Sequence, residues 1–260
     1  MPAEQLHITL IQPNIVWEDK VANLQQYEDT LAKIEGSKHI VVLPEMFSTG
    51  FSMAPDRLAE PMDGPTVVWM TNLAVKFRCI LAGSVIIKDQ GNYYNRFLWA
   101  QPDGRIAFYD KRHLFGYAGE DEHYTRGETR VIAQVNGWRI NLQICYDLRF
   151  PVWARNQEDE YDVLLYVANW PEARSLAWKT LLQARAIENQ CYVAGVNRVG
   201  SDAKGNNYIG ESSVFGPLGE LIWQHGKEPT CHTVTLEKSP LDEVRKKLPF
   251  LEDADKFLLL

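Results

Sequence analysis

Trp138-Arg139-Ile140-Asn141-Leu142-Gln143-Ile144-Cys145-Tyr146-Asp147-Leu148-Arg149-Phe150-Pro151 sets an apolar residue on every even position from 138 to 144, then breaks off in a polar turn. A period of two is the signature of a β-strand, whose side chains alternate between its faces. Upstream, Asn136-Gly137 separates this strand from Val131–Val135, and Asn-Gly at that spacing is a two-residue hairpin signal. Downstream, Val163–Ala168 reads as a buried strand. A helix follows near Ser175–Glu188 with Trp178, Leu181, Leu182 and Ala186 inward, and Cys191–Val196 is again a strand. Strand and helix therefore alternate around this segment.

The N-terminal half repeats the alternation. Leu6–Ile11 alternates as a strand, and Val21, Leu24, Tyr27, Leu31 and Ile34 recur at helical spacing. His39–Leu43 is a short apolar strand stopped by Pro44; Val67–Phe77 is a helix, Cys79–Ile87 a strand. Turn signals at Gly91-Asn92 and Pro102-Asp103-Gly104 set off strands Tyr93–Ala100 and Ile106–Tyr109, and Asn206-Asn207 reads as a further turn. Ser212–Phe215, Leu221–Gln224 and Thr230–Leu236 finish the sheets. Ser239-Pro240-Leu241-Asp242 has the form of a helix start with a hydroxyl cap, and Pro249 ends that helix. With no low-complexity linker or repeat, residues 1–260 read as one α/β domain with mixed sheets covered by helices.

Composition narrows the function. With 260 residues, core size is no obstacle, and a net charge of -7 argues against a partner that needs a basic surface, so no nucleic acid is expected. No run of 18 apolar residues occurs and Met1-Pro2-Ala3-Glu4-Gln5 opens no secretory signal; no membrane association is expected. Four cysteines without a C-x-x-C pair make no disulfide framework, and a reduced, cytoplasmic enzyme is the simplest expectation. The six histidines lack close metal-ligand spacing, and neither G-x-x-x-x-G-K nor G-x-S-x-G is present. Neither a metal nor a cofactor is expected.

Reactive residues stand where apolar runs end. Cys145 shares its strand face with Arg139, Asn141 and Gln143, out of phase with the most apolar face, whereas Cys79, Cys191 and Cys231 sit inside apolar strands as small hydrophobes. Cys145 is the candidate nucleophile. A thiol needs a base or a nearby cation. Glu45, closing Val41-Val42-Leu43-Pro44-Glu45 and followed by Met46-Phe47, can be the base; in other surroundings it would be an ordinary loop carboxylate. Lys111, in Tyr109-Asp110-Lys111-Arg112-His113-Leu114-Phe115, can supply positive charge, although alone it reads as a solvated strand-end lysine. The Tyr146 N–H is a candidate second oxyanion donor, and His113 reads as a structural strand-end residue.

Taken together and in this order, the three segments resemble the Glu-Lys-Cys active site of the nitrilase (carbon–nitrogen hydrolase) superfamily. The resemblance continues through Ala184-Arg185-Ala186-Ile187-Glu188-Asn189-Gln190 and Gly210-Glu211-Ser212-Ser213 and covers essentially the whole chain. It implies a four-layer αββα sandwich, a cysteine-dependent amidase working through a thioester, and subunits paired into a homodimer or higher homo-oligomer. It also implies a second glutamate seven residues before a glycine; Glu120 stands seven before Gly127, with Asp121 and Glu122 beside it leaving the register open. Within the superfamily the chain is similar to the ω-amidases, which implies 2-oxoglutaramate as substrate and a link to methionine salvage. Such a substrate requires a cation for its carboxylate, for which Arg174 is the candidate, with Trp170 and Phe47 as walls for the carbon chain. Other amidases of the fold, N-carbamoyl amino-acid hydrolases, nitrilases and a non-catalytic binding member are the alternatives. The apolar ending, residues 249–260, is expected at a subunit interface.

Overall fold

The computed structural model describes residues 3–259. In chain order the first half runs β1 (Gln5–Gln12), α1 (Lys20–Leu31), β2 (Ile40–Val42), α2 (Pro55–Leu58), α3 (Pro65–Phe77), β3 (Ile80–Asp89), β4 (Asn92–Ala100), β5 (Ile106–Asp110) and α4 (Glu120–His123). The second half runs β6 (Ile132–Val135), β7 (Trp138–Ile144), α5 (Pro151–Ala154), β8 (Val163–Val167), α6 (Ser175–Asn189), β9 (Tyr192–Val196), β10 (Val199–Ser201), β11 (Asn207–Ile209), β12 (Ser213–Phe215), β13 (Leu221–Gln224), β14 (Thr230–Glu237) and α7 (Lys238–Lys247).

The strands form two six-stranded mixed sheets, ordered β14-β1-β2-β3-β4-β5 and β13-β12-β9-β8-β7-β6, with β10 and β11 as a separate hairpin. Residue parity sorts the layers. Leu6, Ile8, Leu10, Ile40 and Val42 from one sheet meet Ile140, Leu142, Ile144, Val163 and Leu165 from the other in a single core. The opposite face of the first sheet packs Val41, Leu43 and Leu81 on Tyr27, Leu31, Met70 and Leu73 of α1 and α3. The opposite face of the second packs Leu164, Tyr166 and Val193 on Trp178, Leu182 and Ala186 of α6. The result is the four-layer αββα sandwich. Among the described residues no helix is long and apolar enough to cross a membrane.

On the odd face of β7, Asn141 and Gln143 are fully buried beside Leu164 and Tyr166, with Gln143 Nε2 donating to Asn141 Oδ1. Three details differ from the sequence reading. Cys231 is exposed, because β14 is an edge strand whose inward residues are Val234 and Leu236. The last helix starts at Lys238 rather than after a Ser239 cap; β14 runs straight into it, and the Ser239 N–H is taken by Glu4 Oε1. Asn207 belongs to β11. After α7, residues 249–259 form neither helix nor strand, and Phe250, Leu258 and Leu259 are exposed.

Candidate active site

Glu45, Lys111 and Glu120 come from three separate segments, each just beyond or beside a strand of the first sheet, and all three are buried. Lys111 Nζ donates to Glu45 Oε1 at 2.8 Å and to Glu120 Oε2 at 2.8 Å. Asn95 of β4 bridges the same two carboxylates, its Nδ2 lying 2.8 Å from Glu45 Oε1 and 3.0 Å from Glu120 Oε1. Ser84 orients that amide by donating to Asn95 Oδ1, and receives the N–H of Met46 on the same hydroxyl oxygen. Met46 itself takes a left-handed backbone, φ 41°, which turns the chain sharply behind Glu45. Glu120 Oε2 also accepts the N–H of Phe115 at 2.6 Å. This contact and the ion pair select Glu120 over its acidic neighbours.

The nucleophile candidate arrives from the other sheet. Cys145 follows β7 and opens a 3-10 turn, residues Cys145–Arg149, with φ 43°. A left-handed backbone is uncommon for a residue with a Cβ and marks a position held by its surroundings. The strand phase that points Ile144 into the core thus stops before Cys145, whose side chain touches both core layers of the second sheet. Tyr146 N–H is among the first amides of this turn, which have no acceptor inside a helix.

The electrostatics follow from burial. Two carboxyl groups share the one amine of Lys111, each at 2.8 Å. Burial opposes the charge on Lys111, yet the carboxylates of Glu120 and Glu45 hold it above the usual lysine range, so it stays an ammonium. Burial raises Glu120, as does the like charge of Glu45, with Lys111 opposing. Burial and the Glu45 carboxylate push the Cys145 thiol well above its usual value, with Lys111 pulling the other way. The resting thiol is therefore protonated and needs a base at the moment of attack.

Cys145 lies at a pocket of about 230 Å3. Its walls include Phe51, Phe115, Tyr146 and Trp170, and Tyr208 of the β10–β11 hairpin closes one side. Arg149 and Arg174 also line it. Each guanidinium rests on an aromatic face: Arg149 over Trp170 at 5.0 Å and Arg174 over Phe115 at 5.1 Å. The acid in the lining, Asp202, is already occupied by Asn206 and Tyr208 and by the N–H groups of Lys204 and Asn206.

Of the residues read from sequence, the structure brings together Glu45, Lys111, Glu120 and Cys145, with Tyr146, Trp170 and Arg174 in the pocket. Phe47 does not reach it. The turn at Met46 sends Phe47 into the helix-covered layer, against Tyr27 and Trp69 and tight on Gly83, and Phe51 stands in the pocket instead. Sequence reading also passed over Asn95, Arg149 and Asn169. Asn169 N–H donates to Glu45 Oε2 at 2.9 Å, tying the end of β8 to the carboxylate from the first sheet. A signal existed for Arg149, four residues after Cys145 in the same polar turn. Among the described residues no group of histidine, cysteine, aspartate and glutamate is arranged to hold a metal ion.

A thiol beside a buried carboxylate–ammonium cluster, set between two sheets of an αββα sandwich, is the arrangement of the carbon–nitrogen hydrolases. The model of that family, carbon-nitrogen hydrolase, matches residues 7–246, and the chain belongs to it. It is an amidase: it is 49% identical over 255 residues to the omega-amidase YafV of Escherichia coli K12, covering 98% of both chains. It is also 32% identical to the 2-oxoglutaramate amidase of Bacillus subtilis 168, across 96% of this chain and 98% of that one. Among solved structures, a CN-hydrolase superfamily protein of Xanthomonas campestris with an arsenic adduct in its active site superposes with a TM-score of 0.97 at 43% identity, covering 99% of this chain and all of that one.

Proposed function

We propose that this amidase removes the terminal amide of short 2-oxo acid monoamides, converting 2-oxoglutaramate to 2-oxoglutarate and ammonia through a Cys145 thioester. The observation that carries the substrate class is the pair Arg149 and Arg174, two cations on the pocket wall that rest on aromatic rings and, among the described residues, make no salt bridge. A planar guanidinium meets a carboxylate with two parallel hydrogen bonds. The pocket, about 230 Å3, is below the roughly 300–1,000 Å3 of drug-sized sites, which favours a small acyl chain over a peptide-like amide. The names of the relatives at 49% and 32% identity support the same substrate.

The reaction proceeds in two halves. Cys145 Sγ attacks the amide carbon while its proton passes to Glu45. The developing oxyanion is held by Lys111 Nζ and the Tyr146 N–H. As the C–N bond breaks, Glu45 returns the proton to the leaving nitrogen and ammonia departs. Water then attacks the thioester, giving a proton to the same carboxylate, and the C–S bond breaks as that proton returns to sulfur. Glu120 keeps Lys111 charged and in place throughout. Dividing one difficult step into two easier ones is the advantage of the covalent route, and no cofactor enters it.

The test is ammonia release over a panel of 2-oxoglutaramate, neutral short amides, N-carbamoyl amino acids and nitriles. The 2-oxo monoamide should give the largest kcat/KM. Faster turnover of a nitrile or a carbamoyl amino acid would overturn the substrate assignment.

A further inference from the structure

The trio Glu45, Lys111 and Glu120 belongs wholly to the first half of the chain, whereas Cys145 follows a strand of the second sheet. Hydrogen bonds within the trio therefore cannot fix the distance from Lys111 to the sulfur. Something must register one sheet against the other at that point. Asp147, two residues after Cys145 and fully buried, has the right connections. Its Oδ2 accepts Tyr109 Oη–H at 2.7 Å and the N–H of Ile144 at 3.0 Å. Its Oδ1 accepts the N–H of His113 at 3.0 Å and lies 2.8 Å from His113 Nδ1.

Tyr109 and His113 flank Lys111 by two residues on either side, and Ile144 immediately precedes the nucleophile. One carboxylate thus grips both sides of the lysine segment and the residue before the cysteine. Four contacts occupy its acceptor sites. The grip is braced from outside. Tyr109 Oη accepts Trp153 Nε1 at 3.0 Å and the N–H of Arg112 at 3.1 Å, and the His113 ring stacks on Phe150 at 3.8 Å. The bond from Ile144 N–H also closes the turn that holds Cys145 at φ 43°.

We propose that Asp147, with Tyr109 and His113, is a cross-sheet strut: a set of positioning residues that sets Lys111 Nζ against Cys145 Sγ and keeps the nucleophile turn left-handed. The proposal rests on Cys145 and Lys111 acting as described above. Asp147 touches no reacting atom in it. Its amide isostere can accept on only one side-chain oxygen and sets its NH2 against one backbone N–H, that of Ile144 or that of His113, donor against donor. Small misplacements of reacting groups are costly in rate, on the order of a hundredfold for about 1 Å.

The experiment compares Asp147→Asn, Tyr109→Phe, His113→Phe and the double variant Tyr109→Phe/His113→Phe with the parent enzyme, using 2-oxoglutaramate well below each variant's unfolding temperature. The expected result is a fall in kcat of roughly tenfold or more for Asp147→Asn, with a smaller change in KM, because Arg174 stands on a separate segment outside the nucleophile turn. The single phenylalanine variants should lose less, and the double variant should approach Asp147→Asn. Alkylation of Cys145 by iodoacetamide should slow in the same order. Variants that fold, melt earlier and keep the parent kcat and alkylation rate would overturn the strut and leave only a structural role. Should Asp147→Asn fail to fold, the Tyr109 and His113 variants decide the matter by the same two readouts. Failure of the catalytic reading is seen separately, as activity surviving in Cys145→Ala.

Discussion

Replacing Arg149 or Arg174 by methionine keeps an unbranched apolar stem in the pocket and removes the guanidinium. Both side chains are half-buried, and each rests on a ring, Trp170 or Phe115, that the methionine can still cover. A unit charge pair at 4 Å is worth about 4 kcal/mol at an effective dielectric of about 20, before desolvation is subtracted. Measured hydrogen bonds to charged partners contribute about 1.5–3 kcal/mol. The smaller figure governs here, because the free arginines are already partly hydrated. Each substitution should therefore lower kcat/KM for 2-oxoglutaramate by roughly ten- to a hundredfold. The loss should lie mainly in KM, since the carboxylate is bound alike in ground and transition states. A neutral amide of the same length supplies the control, assayed by ammonia release in parallel; it should change less than about threefold for lack of the charged partner. Equal losses on both substrates would refute the assignment of these arginines to the carboxylate.

Glu120→Gln leaves Lys111 with Glu45 as its remaining carboxylate and weakens the acceptor of the Phe115 N–H. Urea unfolding should show a loss toward the lower end of the about 3–5 kcal/mol typical of a broken buried pair, together with a fall in kcat; unchanged kcat would remove Glu120 from the site. Asp162 is buried and, although burial opposes it, hydrogen bonds from Arg139 and Lys238 lower its pKa from 3.8 to about 2. Its contribution is present above the unfolded-state value and lost as pH falls from about 4 through 2, about 2 kcal/mol in all. Asp162→Asn should thus be destabilised at pH 7 but converge with the parent in acid unfolding near pH 2. The exposed Phe250, Leu258 and Leu259 motivate a homo-oligomer, most simply a two-fold dimer. Light scattering should give at least twice the 29.8 kDa chain mass at micromolar concentration, and a monomer would reject it.

Much of the site was legible because its residues sit where a period ends. Glu45 and Cys145 each close an apolar run and Lys111 follows one, so strand patterning offered them as candidates, and the resemblance of the three segments in their order chose them over ordinary loop and strand-end residues. What patterning could not carry was anything decided by a left-handed residue. Met46 at φ 41° exchanges Phe47 for Phe51 at the pocket, and no alternation in Phe47–Ser52 announces it. Cys145 at φ 43° swings Arg149 onto the pocket wall through a 3-10 turn, which lacks a helical stripe of its own. Glu120 sat in an acidic run whose register is fixed by two donors from elsewhere, Lys111 Nζ and Phe115 N–H. Cys231 was misplaced because membership of an apolar strand does not say that the strand is an edge.

The central claim is covalent catalysis at Cys145, and intact-protein mass spectrometry of the enzyme acid-quenched during turnover of 2-oxoglutaramate tests it most directly. The expected result is an adduct equal to the substrate less ammonia, located on the peptide carrying Cys145, lost on base treatment and absent from Cys145→Ala, which should also release no ammonia above background. Ammonia release by Cys145→Ala at near the parent kcat, or an adduct on Cys79, Cys191 or Cys231 in place of Cys145, would contradict it.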